Sequence, residues 1–241
     1  MKKTYFEIGK TPAVLYGGEA DRVFLYVHGL CGNKEEAERF AEIACPLGWQ
    51  VLGIDLPEHG GRQDGVRLVP WEVLPELREV LAFLRTHYET IGIRANSIGA
   101  YFSLLACGEE TAAGTALPLG KCLLVSPLLD MEGMIGRMCR IAGVTEKELC
   151  ERETVVTSFG ATLSYRYLCY ARNHPVRAVC PATEILYAAG DEQIPRKEID
   201  RFVRENSSSC RLTVTERGEH WFHTDEELAI LERWETACIS G

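Results

Sequence analysis

Basic residues are in short supply. The 241-residue chain has 26 lysines and arginines against 35 aspartates and glutamates, a net charge of −9. So acidic a surface repels nucleic acid and anionic membranes, and neither is an expected partner. Long apolar runs are missing too. No stretch approaches the roughly 18 uninterrupted apolar residues of a membrane span. Lys2 and Lys3 stand near the start with no apolar run behind them. That predicts no secretory leader and a cytoplasmic protein. Internal repeats, low-complexity tracts and linkers are absent. Ten cysteines are present, but none forms a C-x-x-C pair, which removes the common zinc and redox spacings. Most of them, such as Cys122 in the run 121–125, read as small buried apolar residues in a reducing compartment. There is no dinucleotide fingerprint, and Gly60-Gly61 precedes no suitable helix, so no cofactor is expected. His220 and His223 lie three apart, but no third ligand is placed beside them, so no metal is expected.

What is present is an ordinary globular composition, 46% apolar and 25% charged, in a chain of single-domain length. Buried-type strands are predicted at 23–27, 50–54, 91–95, 121–125, 184–188 and 211–215. Amphipathic helices are predicted between them at 35–45, 71–88, 98–107 and 196–205, with a last one at 225–238 capped by Thr224. Near-continuous apolar strands alternating with helices imply a mostly parallel sheet covered on both faces. The run 13–16 reads as an added antiparallel edge strand. The segment 128–175 breaks the rhythm. It is too long for a crossover loop and is rich in Met and Tyr. It reads as a small helical cap insertion lining a ligand pocket; one long crossover helix with a loop is the alternative.

In such a sheet ligands gather at the carboxyl ends of the strands, so residues just past each strand carry the chemistry. Past 91–95 comes Asn96-Ser97-Ile98-Gly99. A nucleophilic serine needs a tight strand-to-helix turn with small residues two before and two after it. Gly99 meets that need, and Ala95 stands where glycine is usual, one methyl larger. The bland alternative is a serine N-cap on an ordinary helix. Past 23–27 comes His28-Gly29-Leu30-Cys31-Gly32, a turn that frees backbone N–H groups. The Leu30 and Ile98 N–H groups are the expected oxyanion donors. His28 is expected to brace its loop, with a role as base the alternative. His59, in the turn after 50–54, is expected to be structural. Past 184–188, Asp191 suits an acid that orients a histidine, and Glu192 is its neighbour and rival. Past 211–215, His220 is the expected general base and His223 its rival. Cys31 is expected at the mouth of the site, with a thiol nucleophile the minor alternative.

The chain order Ser97, Asp191, His220 and the segments His28-Gly29-Leu30, Asp55 to Gly60, Asn96 to Gly99, Gly190-Asp191 and Gly218 to His220 resemble the α/β-hydrolase superfamily, in its esterase- and lipase-related branch. The resemblance spans about residues 23 to 238. It implies a central, mostly parallel sheet with helices on both faces and a small cap. It also implies Ser97 as nucleophile, Asp191 as acid, His220 as base, and Leu30 and Ile98 as backbone oxyanion donors. The expected activity is hydrolysis of a small carboxylic ester or related acyl substrate. Thioester, amide or C–C bond cleavage is the alternative within the same triad. A non-catalytic ligand-binding protein is the alternative outside enzymes.

Overall fold

The computed structural model describes residues 1–180 and 182–241. They form two compact units, one of residues 1–128 with 177–241 and one of residues 129–176. In chain order the strands are Lys3–Ile8 (β1), Thr11–Tyr16 (β2), Arg22–Val27 (β3), Gln50–Ile54 (β4), Thr90–Asn96 (β5), Leu119–Val125 (β6), Thr154–Val156 (β7), Thr162–Ser164 (β8), Thr183–Ala188 (β9) and Cys210–Thr215 (β10). The helices are Ala37–Ala44 (α1), Pro70–His87 (α2), Ser97–Ala112 (α3), Met131–Ala142 (α4), Glu146–Arg152 (α5), Tyr165–Asn173 (α6), Arg196–Glu205 (α7) and Asp225–Ser240 (α8).

Eight strands make one sheet in the order β1-β2-β4-β3-β5-β6-β9-β10. From β4 to β10 all neighbours are parallel. Their residues are apolar almost throughout because successive side chains enter opposite buried layers. Phe24, Tyr26, Val51, Leu123 and Leu186 pack with Phe40 and Ala41 of α1 and Leu231 and Trp234 of α8. The alternate residues Val23, Leu25 and Ile93 are just as buried. On α2, Leu74, Leu77, Leu81 and Leu84 form the buried stripe that their spacing predicts.

Register fixes where the loops emerge. Val27 lies beside Ala95, Ala95 beside Leu124, and Val125 beside Leu186. Thr215 lies beside Ala188. The segments that begin at His28, Ser97, Ala189 and Glu216 therefore leave the sheet at the same carboxyl edge.

The expected edge strand at 13–16 is not at the edge. β2 lies between β1 and β4, antiparallel to both, and β1 is outermost. Gly9, at φ +59°, turns β1 into β2. β1 escapes a sequence reading because it is mostly exposed and carries Lys3, Thr4 and Glu7 within its pattern. The second unit is not purely helical. It combines α4, α5 and α6 with an antiparallel β7–β8 hairpin. Its interior gathers Leu149, Val155, Leu163 and Leu168, and Arg172 bonds to both Glu132 and Glu146. The ten cysteines are all free; five are buried, three half-buried, and Cys31 and Cys150 exposed.

Candidate active site

Ser97 sits where β5 passes into α3. Its φ is +45°, a left-handed conformation that non-glycine residues rarely hold and that costs on the order of 1–3 kcal/mol. The strain is sustained by close packing around the turn. A Cβ on Gly99 would lie 2.3 Å from the His28 carbonyl oxygen and 2.6 Å from that of Val27. Only glycine lets the first turn of α3 come this near the end of β3. Ala95 is fully buried between its partners Val27 and Leu124, so its extra methyl is accommodated inside the sheet. The tight approach lies two residues after the serine, not two before it.

His220 Nε2 lies 2.9 Å from Ser97 Oγ, and His220 Nδ1 lies 2.8 Å from Asp191 Oδ2. The other carboxylate oxygen, Oδ1, accepts the N–H groups of Gln193 at 2.8 Å and Ile194 at 2.9 Å. Those two bonds tether one oxygen in the turn and leave the other facing the imidazole. An ionised carboxylate can only accept, so Nδ1 carries the ring proton. Nε2 is then the acceptor, and the Ser97 hydroxyl donates to it. The Asp191 side chain is fully buried and the His220 side chain 12% exposed. The Asp191 turn and the His220 loop also touch: a Cβ on Gly190 would lie 2.7 Å from the Gly218 carbonyl oxygen.

The rivals are placed elsewhere. Glu192 is exposed. His223 is exposed, and its Nδ1 donates to the Trp221 carbonyl at 2.8 Å. His28 is fully buried; its Nδ1 donates to the Gly29 carbonyl at 2.7 Å, and its Nε2 accepts the Leu56 N–H at 3.1 Å. Burial pushes its pKa down to about 4, so it stays neutral with both nitrogens engaged by backbone. It braces the loop beside the site. His59 likewise donates from Nδ1 to the Pro57 carbonyl at 2.7 Å.

Leu30 lies in that braced loop. Gly32 N–H bonds to the Gly29 carbonyl, and Cys31 adopts φ +63°. Asp55 anchors the loop's far side by accepting the Lys34 N–H at 2.7 Å and the Lys34 ammonium at 2.9 Å. Ile98 belongs to the first turn of α3, whose N–H groups have no acceptor within the helix. The Gly99 contact sets the separation of the two segments that carry Leu30 and Ile98. Among the described residues, no three His, Cys, Asp or Glu side chains gather as a metal site requires.

Solved structures share this fold. A candidate hydrolase from Agrobacterium vitis S4 matches at TM-score 0.79 and 17% identity, over 99% of this chain and 98% of its own. Mouse alpha/beta hydrolase domain-containing protein 10 matches at TM-score 0.76 and 13% identity, over 100% and 99%. Est1E from Butyrivibrio proteoclasticus, with ferulic acid bound, matches at TM-score 0.70 and 17% identity, over 97% and 96%. The chain has the α/β-hydrolase fold. No protein-family model and no curated protein matches the sequence.

Beneath the turn at Ser97 lies a polar group that sequence reasoning missed. Arg94, buried in β5, bonds to Glu235 of α8 at 2.6 Å and to the Asn96 side-chain oxygen at 2.6 Å. It also stacks over the Tyr26 ring at 5.3 Å. Asn96 donates to the Tyr26 hydroxyl at 3.0 Å. Burial pushes the Glu235 pKa up, and the neighbouring Arg94 opposes it. The visible signal was an arginine inside an otherwise apolar strand, which demands a buried partner. That the partner lies 141 residues away was not legible.

Proposed function

We propose that this protein is a serine hydrolase that cleaves a carboxylic ester. The observation that carries the proposal is the unbroken hydrogen-bond chain from Asp191 through His220 to Ser97. Ser97 Oγ attacks the ester carbonyl carbon as His220 Nε2 takes the hydroxyl proton. The carbonyl oxygen becomes an oxyanion, held by the N–H groups of Leu30 and Ile98. Each such donor stabilises the transition state by about 3 kcal/mol. The C–O bond then breaks, the alcohol departs with the proton from His220, and an acyl group remains on Ser97. Water, giving its proton to His220, attacks that acyl group. The acid leaves, and the proton returns to Ser97. Asp191 keeps the ring in the required tautomer and stabilises the imidazolium.

Names among the similar folds support this reading: Est1E carries bound ferulic acid, and one protein of Pyrococcus furiosus is an esterase. A thioesterase domain from the curacin biosynthetic pathway shares the fold at TM-score 0.63. The same residues serve a thioester, with sulfur leaving in place of oxygen.

The test is mass spectrometry after incubation with a fluorophosphonate, alongside turnover of p-nitrophenyl esters and acyl thioesters. One adduct on Ser97, lost in Ser97→Ala and in His220→Ala, is the expected outcome. Turnover should fall about a millionfold in either variant. Full activity in Ser97→Ala would refute the proposal. Neither adduct nor turnover in the wild type would move a non-catalytic ligand-binding role ahead of it.

A further inference from the structure

The base sits on a stretch with no regular structure, between the end of β10 and the start of α8. Such a segment holds a side chain in place only if its backbone is tied down. The ties converge on one carboxylate. Glu227, in the first turn of α8, accepts the Glu219 N–H on Oε1 at 3.0 Å. Its Oε2 accepts the His223 N–H at 3.2 Å, the Thr224 N–H at 2.9 Å and the Thr224 hydroxyl at 2.8 Å. One oxygen therefore grips the residue just before His220 and the other grips residues just after it. Glu227 is itself buried. Gly218, at φ +109°, brings the chain so close that its Cβ would lie 3.3 Å from Glu227 Oε1.

We propose that Glu227 is a positioning residue for His220, clamping the backbone on both sides of the base so that Nε2 meets Ser97. Part of this geometry is an ordinary capping box, in which Thr224 caps α8 and Glu227 returns the bond. A capping box ends at Thr224. The bonds to Glu219 and His223 extend beyond it to the catalytic loop. Four donors share two acceptor oxygens, and an amide has only one such oxygen. Whichever way a glutamine turns, one side of the His220 loop loses its acceptor. The inference rests on the hydrolase reading, because the positioned atom is the proposed general base.

The test compares Glu227→Gln with Thr224→Ala. The second weakens the helix cap but leaves both carboxylate oxygens and the backbone donors. Glu227→Gln should lower kcat for p-nitrophenyl butyrate, and the rate of fluorophosphonate labelling at Ser97, at least tenfold, with KM within twofold. Thr224→Ala should lower the melting temperature but keep both rates within twofold. If Glu227→Gln does not fold, Glu227→Asp keeps the charge but is one methylene too short to bridge both sides, and should lose rate in the same way. The imidazole N–H resonance of His220 supplies a readout that needs no turnover. It should persist in the wild type and Thr224→Ala and vanish by exchange in the Glu227 variants. Rates within twofold and an unchanged resonance in Glu227→Gln would overturn the positioning role. Equal losses in Thr224→Ala and Glu227→Gln would overturn it as well. Absence of labelling in the wild type would instead defeat the hydrolase reading, and the resonance would still decide the clamp.

Discussion

Replacing Gly99 with alanine sets two principles against each other. By helix propensity alone, Gly→Ala within α3 stabilises by about 1 kcal/mol. By packing, the new Cβ would lie 2.3 Å from the His28 carbonyl oxygen and 2.6 Å from that of Val27, and such contacts essentially never fall below 3.0 Å. The start of α3 and the end of β3 must then part by about 0.7 Å. Both obstacles are backbone, so no side chain can swing aside. Overpacking of this kind costs about 1–3 kcal/mol, which exceeds the propensity gain, and the net effect is destabilising. The functional loss should be larger. The segments forced apart carry Ile98 and Leu30, the proposed oxyanion donors, and a displacement near 1 Å costs about a hundredfold in rate. Thermal unfolding followed by circular dichroism, with kcat/KM on a p-nitrophenyl ester, measures both. A variant more stable than the wild type with full turnover would refute the argument, for the close approach would then not govern the site.

Asp191→Asn should lower kcat about ten-thousandfold with little change in stability. The amide oxygen can still accept from Gln193 and Ile194, which turns the NH2 toward His220 and forces the wrong tautomer; a pH–rate profile on the purified variant reads the loss. Arg94→Met should destabilise by about 3–5 kcal/mol because it strands the buried Glu235 carboxylate, whereas adding Glu235→Leu should recover most of that in denaturant unfolding. No recovery in the double variant would contradict the ion-pair account. For Glu227, burial acts to raise the pKa, but the hydrogen bonds from Thr224, His223 and Glu219 outweigh it and bring the value from 4.5 to about 2. A depressed carboxylate contributes stability that is complete above the unfolded value and is lost as pH falls through the folded one. The stability gap between wild type and Glu227→Gln should therefore be constant above about pH 4.5 and shrink between there and about pH 2. A gap that stays constant across that interval would count against the clamp.

Much of this molecule is legible in one dimension because its strongest signals are local. The strand 50–54 and the helix 196–205 have the bounds that their apolar period and Pro195 imply. The parallel sheet follows from apolar runs alternating with amphipathic helices, since a strand buried on both faces tolerates few polar side chains. The order Ser97, Asp191, His220, each just past a strand, is likewise a property of the chain. β1 was not legible, because an exposed edge strand has no apolar pattern to advertise it.

The sequence by itself determined the fold class and a short list of site residues, because hydrophobic periodicity and turn chemistry act between residues a few positions apart. Tertiary structure decided the rest. It brought His220 to Ser97 and Asp191 to His220, and turned His223 toward the Trp221 carbonyl, since only packing sets which side chains meet across the chain. It joined Arg94 to Glu235 and the His220 loop to Glu227, because a buried charge is satisfied by whatever lies close in space. And it put the constraint on the elbow at Gly99 and not at Ala95, because the distance between two backbones exists only once β3, β5 and α3 have been brought together.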